Sequence, residues 1–305
     1  MRFNKLDLNQ LVVLDALLFE RNVTKASERL FLSQSATSCA LARLRDYFDD
    51  DLLMSIGKTL VLTPLAESMI APLRDVLLQV QAITQSKQHF DPLLSSRKIT
   101  IEASDYVMSV FLIKVIQCAA IEAPHMQFDL RSMGVNSLEH LDRGDTDLLI
   151  APAFYLSSSH PADALFEDSF SCVAWSGNDS IGDELTLDTY LHSGHVCTEW
   201  GAGRYLALDH HLTEQIGMQL RREILAPSFT VLPAMVIGNK RLATIQTRLA
   251  KQMAQTAPLR VLKCPLAIPN LVETLQWHKH QQRDPAISWV RNLLKRTAAQ
   301  LADAD

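Results

Sequence analysis

The stretch from Val23 to Leu44 constrains this chain more than any other. It carries two short helical patterns, from about Thr24 to Leu30 and from about Gln34 to Tyr47, with Ser33 placed to cap the second. Helices this short can nest only where a small residue sits at their crossing, and Ala26 supplies it. Leu30 and Leu32 are expected to fill the wedge at the turn, and Ala36, Ala40, Leu41 and Leu44 to bury the inner face of the second helix. That leaves Gln34, Ser35, Thr37, Ser38, Arg43 and Arg45 pointing outward. Short polar groups at a helix start, followed by arginines, suit a helix whose first turns meet base edges in a DNA groove. Thr24, Lys25 and the capped start at Ser33 extend the same candidate surface towards phosphates. A generic small helical bundle is the competing reading.

The flanks agree with a winged helix-turn-helix. Leu8, Leu11, Val12, Leu14 and Leu18 repeat at helical spacing behind Asp7 as cap. Two β-like runs, 52–55 and 59–62, flank Gly57 and read as a hairpin, with Lys58 at its tip as a candidate minor-groove contact. Thr63 and Pro64 then open one long amphipathic helix to about residue 88. Met69, Val76 and Ile83 lie seven apart, as do Leu73 and Val80, so this helix is expected to pair with a second copy of itself; packing on its own domain is the alternative. Past Asp91-Pro92, β-like runs (99–103, 128–132, 147–151, 171–175, 241–245, 260–263 and 273–277) alternate with helical patterns, as in an α/β fold of two small lobes. The expected organisation is therefore an all-α winged helix-turn-helix over 1–63, a linker helix and hinge over 64–92, and an α/β domain over 93–305. Its first lobe takes about 97–168 and 271–305, and its second about 169–270.

Charge alone would not nominate a nucleic-acid binder. The chain carries a net charge of −5, and within residues 1–65 eight bases are matched by eight acids. The case rests on the bases being gathered on one face. No apolar run approaches a membrane span, the N-terminus lacks a signal-peptide core, and the five scattered cysteines form no CxxC pair, which together suggest a cytoplasmic chain with reduced thiols and no membrane partner. His278-x-His280 and His210-His211 lack a completing ligand at metal spacing and are expected to be exposed polar histidines. His195 and Cys197 lie two apart on one strand without a third orienting residue, and no phosphate- or dinucleotide-binding glycine motif is present. An enzyme, a metal and a cofactor are therefore not expected. A two-lobed solute-binding protein and an α/β hydrolase remain the alternatives.

The order of residues 6–11, Thr24 to Leu30, Ser33-Gln34, Ser38, Leu41, Arg43-Leu44 and Leu62-Thr63-Pro64 resembles the LysR-type transcriptional regulators. Residues 144–150, 90–92, Ser104-Asp105, Trp277-His278 and 284–289 extend the resemblance over essentially the whole chain, towards the subgroup of nodulation-gene activators and regulators of naphthalene, salicylate and chlorinated-aromatic breakdown. Two departures stand out: Ser35 occupies a usual proline position, and residues 55–58 replace the commoner arginine-containing wing. The resemblance implies a periplasmic-binding-protein-like sensing domain, a dimer of dimers paired through the long helix, promoter DNA and RNA polymerase as partners, and a small aromatic effector between the lobes.

Ligands of open α/β sheets lie beyond the carboxyl ends of strands. That nominates Ser104 and Asp105 after the first sensing-domain strand, Arg131 and Ser132 ending the second, and in the other lobe Cys197 and Phe229. Arg248 matches a position where related aromatic-acid sensors place an effector-contacting arginine, and a guanidinium there would pair with a carboxylate.

Overall fold

The computed structural model describes residues 6–57, 59–85, 90–198 and 220–302. It divides the chain into two units, Met1–Gln88 and His89–Asp305.

In the first unit, Asp7 and Gln10 form a reciprocal capping box that opens α1 (Leu8–Glu20). Asn22 caps α2 (Val23–Leu30), and the Ser33 hydroxyl accepts the Ala36 N–H to start α3 (Gln34–Phe48). A hairpin of β1 (Leu53–Ile56) and β2 (Thr59–Leu62) follows, turning at Gly57 with φ +63°. The long helix α4 (Pro64–Gln85) starts under Thr63, whose hydroxyl accepts the Ala66 N–H. Leu14, Leu17, Ala26, Leu44 and Leu52 are fully buried at the centre of this unit. The heptad positions of α4 divide: Leu73 is buried and Met69 packs against the same core, while Val76 and Ile83 stay exposed. The near-buried Arg74–Asp15 ion pair, at 3.0 Å, ties α4 to α1.

Among the described residues the second unit contains two five-stranded sheets. One has the order β4-β3-β5-β12-β6, from β3 (Lys98–Ala103), β4 (Gln127–Ser132), β5 (Leu148–Pro152), β6 (Ala162–Asp168) and β12 (Leu271–Trp277). The other has the order β11-β7-β10-β8-β9, from β7 (Phe170–Trp175), β8 (Gly194–Thr198), β9 (Arg221–Ala226), β10 (Leu242–Gln246) and β11 (Leu259–Lys263). Helical elements connect them: α5 (Asp105–Val107), which continues through a π-turn into α6 (Ile113–Glu122), then α7 (Ser137–Asp142), α8 (Leu187–His192), α9 (Leu232–Met235), α10 (Thr247–Ala254) and α11 (Pro285–Ala302). The chain passes between sheets at Ser169 and again over residues 264–270, which gives the two lobes expected. One apolar core runs through both lobes, from Ile101, Tyr106, Phe111 and Leu275 to Val196, Leu232, Ile245 and Leu249.

The 144–150 motif has a structural cause. Gly144 takes φ +70°, which a side chain would strain, after α7. Thr146 donates to the buried Glu102 carboxylate, and Asp147 accepts the Thr100 N–H at 2.9 Å and Gln281 at 3.1 Å, so the segment fastens β3 to β5. Asp284 caps α11 by accepting the Ala286 and Ile287 N–H groups, with Pro285 at the first helical position. Sequence periodicity missed β6, whose alternation is masked by the acids Asp163, Glu167 and Asp168. The helix expected near 206–217 and the pair His210-His211 lie outside the described residues. The helix expected over 229–238 is the single turn α9.

Candidate nucleic-acid interface and effector cleft

The outward surface of α3 differs by one residue from the expected register. Thr37, Leu41 and Leu44 are buried, Ala40 is half-buried and Ala36 is exposed. Thr37, expected as a base contact, is 0 % exposed and donates its hydroxyl to the Ser33 carbonyl. Its methyl and γ-oxygen serve the inner stripe, because offsets 37, 41, 44 and 48 hold one helix face more closely than 36, 40, 41 and 44. Gln34, Ser35, Ser38 and Arg43 are exposed, with Cys39 and Ala42 between them. Sequence reading left out these last two, which the observed register puts on the same face. Thr24 and Lys25 are exposed at the start of α2.

Arg45 is not a free phosphate ligand. Its Nε donates to the Asp51 carbonyl and its Nη2 to the Leu53 carbonyl, both at 2.7 Å, which fastens the end of α3 to the first wing strand. Arg45→Met is expected to cost about 1–3 kcal/mol of unfolding free energy in a denaturant titration, the loss of two charge-assisted bonds. Lys58 lies outside the described residues. Of the two leucines expected in the wedge, Leu30 packs half-buried against the core while Leu32 is 46 % exposed; between them Phe31, 96 % exposed, ends α2 in the left-handed region at φ 53°.

In the second unit the carboxyl ends of β3, β5, β8, β9 and β10 come from the two lobes. Ser104 is buried and caps α5 by accepting the Val107 N–H at 3.2 Å. Asp105 crosses the lobes, accepting the Ser228 hydroxyl at 2.7 Å and the Phe229 and Thr230 N–H groups at 3.2 and 2.8 Å. Burial opposes its ionisation, yet these donors hold its carboxyl below the usual value. The Asp105 carboxylate is thus a latch that positions the Phe229 turn, not a group left over for a ligand. Phe229 itself packs half-buried against the shared core, and Cys197 is half-buried at the end of β8.

Arg131 and Ser132 do not join the cleft group. Both are exposed on the edge strand β4, where Arg131 pairs with Asp129 at 2.9 Å and reaches the Asp145 carbonyl. Arg248 is already held by protein groups and also lines a cavity. Its N–H donates to Asp168, and its guanidinium donates to the carbonyls of Leu301 and Glu167 at 3.2 and 3.4 Å. Those bonds fix the start of α10 in one lobe to β6 and α11 of the other. A cavity of about 250 Å³ beside it is lined by Asp168, Ser169, Thr247, Arg248, Lys251 and Asn270, residues of both crossing segments and α10.

The His278-x-His280 pair, expected to be exposed, is not at the surface. His278 is 2 % exposed and its ring stacks between those of His160 and His280, at 4.5 and 5.1 Å. His195 is buried against Tyr190, with Nε2 at 2.7 Å from its carbonyl oxygen. Among the described residues no three His, Cys, Asp or Glu side chains are arranged to hold a metal, and no helix is long and apolar enough to cross a membrane.

A winged helix-turn-helix joined to a two-lobed α/β domain defines a DNA-binding regulator with a sensing domain. The comparisons make this specific. Residues 8–67 match the model of the bacterial regulatory helix-turn-helix protein of the lysR family, and residues 94–299 match the LysR substrate binding domain. The chain belongs to the LysR family of transcriptional regulators. It is 42 % identical to nodulation protein D 2 of Rhizobium tropici over 98 % of this chain and 95 % of that protein. To nodulation protein D 1 of Mesorhizobium japonicum it is 40 % identical, covering 99 % and 96 %. Among solved structures it resembles a probable transcriptional regulator of Pseudomonas aeruginosa, with TM-score 0.65, 28 % identity and 96 % and 97 % of the chains covered. It shares its fold with the LysR family regulator CbnR, with TM-score 0.60, 12 % identity and coverage of 96 % and 99 %. The family consists of transcriptional regulators rather than enzymes; they bind promoter DNA and small effectors and form oligomers.

Proposed function

We propose that this chain is a cytoplasmic activator that binds promoter DNA through α3, contacts RNA polymerase, and responds to a small aromatic effector held between its lobes. The observation that carries the reading is the exposed α3 surface of Gln34, Ser35, Ser38 and Arg43 on a helix whose opposite stripe is buried. Assembly as a dimer of dimers fits the exposed heptad positions Val76 and Ile83 of α4. An aromatic effector fits the phenyl groups Phe154 and Phe229, which follow the ends of β5 and β9. With Arg248 engaged by backbone carbonyls and Asp105 and Asp168 in the same region, an uncharged ligand suits the cleft better than a carboxylate. No metal or cofactor enters this scheme.

Gel-shift titration of promoter DNA tests the first part. Gln34→Ala and Ser38→Ala are expected to relax base preference, each good base contact being worth about 1–3 kcal/mol, and Arg43→Ala to weaken binding to all sequences and flatten the salt dependence. Unchanged binding by all three variants would remove α3 as the recognition helix. Thermal-shift titration with neutral phenols and with aromatic carboxylates tests the second part. Neutral compounds are expected to raise the unfolding midpoint and Phe229→Ala to reduce that rise; stabilisation by acids alone would overturn the preference.

A further inference from the structure

Glu273 is a buried titratable group with no part in the scheme above. It lies in β12 opposite Pro152 of β5 and Phe166 of β6, at the β-bulge where the β12–β6 register shifts. Its residue is 2 % exposed, and its Oε2 is fully buried with no hydrogen-bond partner among the described residues. Two positions beyond Phe166, Asp168 ends β6 where the chain crosses between lobes. Burial raises both carboxyls, but their hydrogen bonding differs. Asp168 accepts three hydrogen bonds, from the buried Tyr106 hydroxyl at 2.7 Å, the Arg248 N–H at 3.2 Å and the Ser169 N–H at 2.8 Å, and the Arg248 charge lies nearby.

 Glu273 has desolvation and the like charge of Asp168 acting on it, and its carboxyl is pushed up to about 8.

We propose that Glu273 and Asp168 form a proton-storing pair at the hinge, in which Glu273 keeps its proton while the lobes are closed and gives it up when the crossing segments part. Asp168 stays charged because Tyr106 and the first turn of α10 donate to it, and two adjacent buried carboxylates cannot both ionise cheaply. The groups facing the pair are Tyr106 from α5 and Arg248 from α10; β5 contributes only the apolar run Leu148–Pro152, and Glu167 and Lys251 line the adjoining cavity. Opening at Ser169 would break the Arg248–Asp168 bond, since its partners belong to different lobes, and would admit water to Glu273. Lobe closure then takes up a proton. This goes beyond the effector reading and needs only the two-lobed fold.

The test uses the full chain without effector. Infrared spectra should show the carbonyl stretch of a protonated carboxyl at about pH 6 and its loss by about pH 9, with the band absent in Glu273→Gln. Deuterium exchange at residues 168–170 and 264–271, corrected for the intrinsic rate, should rise over the same range in the wild type and stay level in Glu273→Gln. Should that variant fail to fold, Asp168→Asn provides the second reading: the band's midpoint is expected to move to lower pH. A wild type without the band, a Glu273→Gln spectrum that retains it, exchange with the same pH dependence in both proteins, or an unmoved midpoint in Asp168→Asn would each overturn the proposal.

Discussion

Ala26→Leu is expected to abolish specific DNA binding while leaving the sensing domain folded. Ala26 is 0 % exposed where α2 crosses its neighbours, in one core with Leu14, Leu17, Leu41 and Leu44. The added side chain has no void to enter, so overpacking of about 1–3 kcal/mol must be relieved by moving α2 away from α3. A recognition helix displaced in this way loses the register of its base contacts. Affinity for the specific site should fall to the non-specific level, a loss of roughly 10³-fold or more. Ala36→Leu is the informative control. Ala36 is exposed, so unfolding of this variant should stay within about 0.5 kcal/mol of the wild type. Wild-type operator affinity for Ala26→Leu in a gel-shift titration would refute the crossing argument.

The second large effect concerns stability against pH. The Glu273 carboxyl is raised in the folded state from an ordinary 4.5 to about 8. A group raised on folding contributes its stability fully below the unfolded value and loses it as pH climbs through the folded one. The wild type should therefore lose stability between about pH 4.5 and 8, by roughly 3–5 kcal/mol for a shift of this size. Glu273→Gln removes the titration and keeps the shape. Its unfolding midpoint should match the wild type near pH 5 and exceed it by several degrees at pH 8, a gap set by those few kcal/mol. Equal midpoints at pH 8 would show that the wild-type carboxylate is accommodated without cost. Asp105 works in the opposite sense: its lowered value makes the lobe-to-lobe latch strongest above the ordinary carboxylate range and weaker as acid neutralises it.

Local signals explain what was legible before the fold was known. Caps such as Asp7, Ser33 and Thr63 act over three residues, so sequence places those helix starts well. Alternating β and helical patterns placed β3, β4, β5, β7, β10, β11 and β12 within two residues, since a strand's pattern is carried by neighbouring residues. The register of α3 was harder. Alanine and threonine differ little in what they signal, so the expected inner face took Ala36 when the packed one takes Thr37.

The roles of the charged residues could not be read in the same way. Arg45 looks like a phosphate ligand until the wing carbonyls fold under it, and nothing near Arg248 in sequence shows that the carbonyls of Glu167 and Leu301 will accept from its guanidinium. Asp105 meets partners 123 to 125 residues away. Periodicity, capping and glycine placement are properties of neighbouring residues, and they alone determined the winged helix-turn-helix, the linker helix and the α/β alternation. The partner of a charge depends on which distant backbone groups arrive beside it, and that was decided only when the two sheets closed on one core.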